Sequence, residues 1–132
     1  MSPENESANA VAELRRAEES LRSAELLLRE GLLSDAVSRA YYAGFHAVRA
    51  LLFTVGQEPR THRGALHLFN LHFIVPGKLE ARHLAALARA QYDRTNADYG
   101  ALVVFELAEA TDGVTSARAL FAAAQALVAP AL

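Results

Sequence analysis

The chain has 132 residues, 52% of them hydrophobic, with a formal net charge of −2 and no cysteine. That is room for one domain and too little for two ordinary ones, with enough apolar material to build a core without disulfides. The balance excludes disorder, a disulfide scaffold and thiolate chemistry, and it leaves no global basic field for nucleic acid, so any RNA contact must come from a local patch.

The first ten residues, MSPENESANA, are polar and acidic and lack the apolar core of a secretory signal. No stretch approaches the ~18 consecutive apolar residues of a membrane span. A cytoplasmic protein without membrane attachment is expected: one domain over residues 1–132, with residues 1–7 flexible. Its basic residues are twelve arginines and Lys78. Arginine suits bidentate phosphate recognition, but this bias together with abundant alanine is also what a GC-rich genome produces.

The spacing predicts a first helix over residues 8–30, with Val11, Leu14, Ala17, Leu21, Ala24 and Leu28 forming one buried stripe. On the other side Glu18 precedes Arg22, and Glu25 precedes Arg29, by four residues, the favourable order for helical ion pairs. Gly31 is positioned to supply a left-handed C-terminal cap. A second helix is expected from the N-cap Ser34 to about Val55, with Val37, Ala40, Tyr41, Gly44, Ala47, Val48, Leu51 and Leu52 on its apolar face. Gly44 inside this helix implies close approach of a neighbour, which marks it as the central helix. Thr61 caps a third helix over residues 62–74, a fourth covers 79–93, and a last runs from 106 to 128 with a weak point at Thr111-Asp112-Gly113. Residues 102–105 read as an extended lead-in. The fold class is therefore all-α, an up-and-down bundle of about five helices with short loops.

Phosphate-binding glycine loops, zinc-protease, nucleophile-elbow and EF-hand motifs are all absent. His67 and His72, five apart and so about 140° around a helix, cannot share a metal ion, and no metal or cofactor is expected. Two groups remain. Arg39, Tyr42, His46 and Arg49 form a polar stripe on the second helix. Arg39 and His46, two turns apart, carry the minimal kit for metal-independent RNA cleavage through the ribose 2′-hydroxyl. The plainer reading is a polar edge tied into interhelical hydrogen bonds. The second group is DRTNADYG, where Arg94, Asp98 and Tyr99 crowd at a helix end suited to either capping or binding.

The stretch SDAVSRAYYAGFHAVRALLFTVG, residues 34–56, resembles the signature helix of a bacterial and archaeal HEPN family, whose pattern reads approximately SRAYYAxFHAARALL. Thr61-His62 followed by Gly64 resembles that family's next loop, and RTNADYG is similar to its arginine shortly before Ala-Asp-Tyr. The resemblance covers about residues 14–127. It implies a helical bundle, homodimerisation and a nucleotide- or RNA-related role beside a minimal nucleotidyltransferase. Some relatives are ribonuclease toxins whose motif is an arginine, four to six residues, then a histidine. Here the positions after Arg94 hold Asp98 and Tyr99 and no histidine, while Arg39 and His46 have the spacing on a different helix.

The expectation is a non-catalytic or weakly catalytic HEPN-like domain. It acts with a nucleotidyltransferase partner in a toxin–antitoxin or defence-type module, with a nucleotide or RNA as ligand. The candidate residues are Arg94, Asp98, Tyr99, Arg39, Tyr42 and His46. A metal-independent endoribonuclease toxin and a structural dimerisation module without ligand are the competing expectations.

Overall fold

Two turns closed by left-handed glycines set the topology at the start of the chain. In the computed structural model, which describes residues 2–100 and 102–131, the first helix, α1 (Pro3–Arg29), ends at Gly31, φ +76°. The Gly31 N–H bonds the Leu28 carbonyl and the Leu32 N–H reaches back to Leu27. Gly56, φ +73°, closes α2 (Leu33–Phe53) in the same way, with Gly56 on Phe53 and Gln57 on Leu52. Both positions need φ > 0, which glycine adopts without strain. The chain continues through α3 (His62–Phe69), a π-helical turn Asn70–Ile74, α4 (Ala81–Tyr99) and α5 (Leu107–Ala131). There is no strand among the described residues, and the all-α bundle is as expected.

The helix boundaries differ from the expected ones where polar residues decide them. Helix α1 begins at Pro3, not residue 8, because Ser2 caps the Asn5 N–H and Pro3 is preset for a first turn. Ser34 is not a cap: Leu32 holds that position and makes no side-chain cap bond. Helix α4 starts two residues later than expected and runs on to Tyr99. The pairs Arg89–Asp93 and Arg94–Asp98, both i,i+4, keep its polar second half helical until Gly100. Glu25 does not pair with Arg29; Arg118 of α5 takes it bidentately at 2.6 and 2.8 Å. Thr61 caps α3 as expected, accepting from the Gly64 N–H at 2.9 Å.

Helix α2 is the centre, packed on α1, α4, α5 and α3. Every residue of its expected apolar face is buried, and so are Ala36, Ala43, Ala50 and Phe53. The core around it draws on Leu21 of α1, Phe69 and Phe73, Leu87 of α4, and Leu120 and Phe121 of α5. A smaller cluster of Val37, Phe105 and Ala110 pins the α4–α5 connection to the start of α2. No helix is long and apolar enough to cross a membrane among the described residues.

A Cβ at Gly44 would stand 3.3 Å from Leu87 Cδ1 and 3.5 Å from Leu120 Cδ2, so the glycine sits where α2 crosses α4 and α5. Gly113, by contrast, is helical and would meet nothing within 4 Å. Gly44→Val, with a β-branched side chain that cannot turn freely in a helix, is expected to lose about 1–3 kcal/mol. Gly113→Ala is expected to gain up to about 1 kcal/mol. Thermal midpoints moving in opposite directions check the pair; a Gly44→Val midpoint at or above wild type would mean the crossing is loose.

Candidate functional site

The aromatic and basic residues of α2 divide between two seams. On the α4 side, Arg94 Nη1 donates to the Tyr42 hydroxyl and to Asp98 Oδ2, both at 3.2 Å. Ser38 Oγ donates to the other carboxylate oxygen of Asp98, also at 3.2 Å. The guanidinium carbon lies 5.2 Å from the Tyr41 ring centre and 5.6 Å from that of Tyr42, within cation–π range. Arg94 is left 15% exposed. Its Nε makes no hydrogen bond among the described residues.

Beneath the guanidinium, the Tyr41 hydroxyl is hydrogen-bonded to His62 Nδ1. Burial pushes the Tyr41 phenol well above its ordinary range, and the nearby Arg94 charge offsets this only in part. The phenol therefore keeps its proton, and with no other acceptor for it among the described residues it donates to His62 Nδ1, the tautomer in which Nε2 carries the hydrogen. Burial first, and Arg94's charge second, hold His62 below its ordinary value of 6.5. The ring is wedged against Phe45 at 4.8 Å and Tyr41 at 5.2 Å.

On the α1 side, Glu13 takes His46 Nδ1 at 2.6 Å on one oxygen and Arg49 Nε at 3.1 Å on the other. Arg49 Nη1 reaches the Pro59 carbonyl at 2.8 Å. Burial alone would raise the Glu13 carboxyl, but the bonds from His46 and Arg49 outweigh it and hold the group below its ordinary 4.5. Since an ionised carboxylate only accepts, His46 Nδ1 must donate, and Nε2 makes no hydrogen bond among the described residues.

Of the residues singled out from sequence, the structure brings together Arg94, Asp98 and Tyr42. His46 joins Arg49 in the Glu13 cluster. Arg39 is exposed and makes no ion pair among the described residues, while His46 is engaged by Glu13. Tyr99 is 78% exposed and makes no hydrogen bond or ring contact with the Arg94 cluster among the described residues. Sequence reasoning missed Ser38, Tyr41, His62 and Glu13. A signal existed for Glu13: it lies three residues after buried Ala10 and four before buried Ala17, inside the apolar stripe of α1. Periodicity marks Tyr41 as core, and the sequence marks His62 only as the start of the third helix and part of a loop pattern.

The Arg94 cluster offers a permanent cation on ring faces and a neutral histidine whose lone pair is already engaged. It can hold an anion and donate hydrogen bonds, and its carboxylate, Asp98, is bonded by Ser38 on one oxygen and Arg94 on the other. Both depressed groups contribute stability that is lost on acidification: Glu13's is held above 4.5 and His62's above 6.5, each falling away as pH drops through the lower folded value. Glu13→Gln is expected to lose about 1–3 kcal/mol at neutral pH. Its gap to wild type should close as the pH drops below 4.5, followed by thermal melts across pH. In an NMR titration the His62 midpoint should lie below 6.5 and rise in Arg94→Gln; an unmoved midpoint would show that Arg94 does not act on the ring.

The comparisons with known proteins bear on this geometry. A profile of the HEPN domain matches residues 10–127. The chain is 46% identical over 77 residues to the UPF0332 protein PH1297 of Pyrococcus horikoshii, covering 58% of this chain and 54% of that protein. It is 40% identical over 83 residues to a Methanocaldococcus jannaschii protein named "Putative toxin MJ0605", covering 63% and 62%. A UPF0332 protein of Thermotoga maritima is 38% identical over 114 residues, 86% of each chain. The match thus spans between about half and two thirds of the first two relatives' lengths.

Proposed function

The chain belongs to the HEPN domain family, and from that premise we propose a non-catalytic or weakly catalytic nucleotide- or RNA-associated domain, working with a nucleotidyltransferase partner in a toxin–antitoxin or defence-type module. The observation that carries the reading is Arg94, a guanidinium laid on two tyrosine rings beside a histidine with no free lone pair. Such a group binds phosphate through its remaining N–H donors, and the carboxylate beside it, Asp98, is tied to Ser38 and Arg94 rather than held by a partner that would present it to a 2′-hydroxyl. The name of the M. jannaschii relative supports the toxin-like part of the reading.

The second reading, a metal-independent endoribonuclease, is favoured by one observation: Glu13 orients His46 and leaves its Nε2 free. The two readings separate on a single-stranded RNA oligonucleotide in the presence of a chelator. The first expects Arg94→Ala to weaken binding about tenfold or more, with no cleavage by wild type. Metal-independent cleavage that disappears in His46→Ala would overturn it.

The domain is also proposed to act as a homodimer. Leu102 is 97% and Val104 86% exposed, with Tyr99 and Leu107 beside them in sequence and likewise exposed. Exposed apolar side chains gathered in one stretch of chain favour an interface there. Light scattering should give twice the 14.3 kDa chain mass, and Val104→Asp should halve it with the helical signal unchanged. A 14.3 kDa wild-type species would refute the dimer.

A further inference from the structure

His83, in the first turn of α4, is buried without a partner. It is 4% exposed, yet its ring makes no hydrogen bond, ion pair or aromatic contact among the described residues. Burying a polar group unpaired costs stability, so such a group points to a partner that is not protein. Its ring nitrogens are not sealed off, unlike Gln91 Oε1 and Arg94 Nε, which are fully enclosed. The surface they keep opens on a cleft of about 400 Å³ that His83 lines between the start of α4 and α5. Burial first, and Arg82's charge second, hold the ring below its ordinary 6.5 against a smaller pull from Glu80. Near neutral pH it is therefore uncharged, with one N–H to donate.

The rest of the cleft offers donors. Glu80 holds the N-cap position of α4 but its side chain caps nothing, and the Ala81 and Arg82 amides find no acceptor among the described residues. The positive end of a 19-residue helix dipole is thus left open here. Lys78 and Arg82 are both exposed on the cleft's edge. Lys78 rests over the Phe73 ring at 5.6 Å and makes no ion pair among the described residues. The one carboxylate, Glu80, is turned onto Arg82 at 3.3 Å in a solvent-exposed pair, a weak contact that a ligand can replace. The α5 wall, Ala119 and Ala123, brings no charge.

We infer that this cleft holds a phosphate group, free or on a small ester, which accepts from the His83 ring and the open amides of α4 while Lys78 and Arg82 balance its charge. The volume is within the range of small-molecule sites. His83 and Arg94 are roughly 16 Å apart along the helix axis, and the cleft shares no residue with the Arg94 or Glu13 clusters. The inference therefore goes beyond the RNA reading and does not rest on it.

The test is titration of the full chain with inorganic phosphate and, separately, with ribose 5-phosphate, at an ionic strength held constant with chloride. Calorimetry gives the affinity, and 15N-labelled protein gives the place. Saturable binding is expected, with shifts at Ala81, Arg82, His83 and Ala119 that persist in Arg94→Gln. The His83 titration midpoint should rise when the anion is bound, since a neighbouring negative charge favours the protonated ring. Tighter binding of the ester would assign the site to a phosphomonoester, and equal affinities would assign it to the free ion. Lys78→Met, on the surface, should weaken binding about tenfold. His83→Leu should abolish it with a thermal midpoint at or above wild type, because an apolar side chain replaces an unpaired buried ring. No saturable binding of either compound, or undiminished affinity in both variants, would overturn the inference. So would shifts that vanish in Arg94→Gln, which would assign the phosphate to the Arg94 cluster instead.

Discussion

Helix α2 is enclosed by three long helices at once, and helix axes approach to the 8–10 Å of a tight packing only where the side chains between them are small. Ala36, Ala40, Ala43, Gly44, Ala47 and Ala50 meet that condition, and all are buried. The consequence reaches the chemistry. A helix surrounded in this way has little solvent side beyond its first turns, where Asp35 and Arg39 are exposed, so its later polar residues emerge at the seams between neighbours. Ser38 and Tyr42 emerge toward α4, His46 and Arg49 toward α1, and each finds a partner there. The polar stripe seen in sequence as one edge is divided by the packing into two clusters.

Arginine is the residue that suits the α4 seam. Its guanidinium is planar and weakly hydrated, so it can lie on Tyr41 and Tyr42 while bonding in its own plane to Tyr42 and Asp98. Lysine would bring a compact, strongly hydrated charge and lose the stacking. Both hydrogen bonds use Nη1, so the Nη2 donors have no partner among the described residues. An anionic ligand can therefore add to Arg94 without first displacing Asp98. Asp98 in turn spends one oxygen on Ser38 and one on Arg94, which fixes the orientation of the guanidinium before any ligand arrives.

What was legible in the sequence follows the range of the interaction. The apolar face of α2, the caps at Gly31 and Thr61 and the crossing at Gly44 all depend on neighbours within a turn or two, or on volume alone. The end of α4 was misplaced because its residues 94–99 are polar, and polarity reads as helix end unless the i,i+4 pairs are weighed against it. The site was legible only in half. Tyr42, Arg94 and Asp98 were in view as separate groups, but their meeting joins residues 52 apart, and Glu13 meets His46 across 33. Periodicity reports which face is buried; it does not report which polar group on another helix will be opposite.

His62 shows how such long-range pairing builds the site. It does not lie on the helices that carry Arg94 and the two tyrosines; it follows the loop after α2, at the first position of α3. That loop is not left to its own turns. Arg49, fixed by Glu13, bonds the Pro59 carbonyl three residues before His62, and Thr61 caps α3 immediately ahead of it. The ring then closes on Phe45 and on the Tyr41 hydroxyl. A carboxylate on α1 thus helps set the place of a ring beside the Arg94 cluster on α4, through one arginine and one backbone carbonyl. The two clusters are one connected arrangement, and the aromatic row of Tyr42, Tyr41, His62 and Phe45 is the packed material between them.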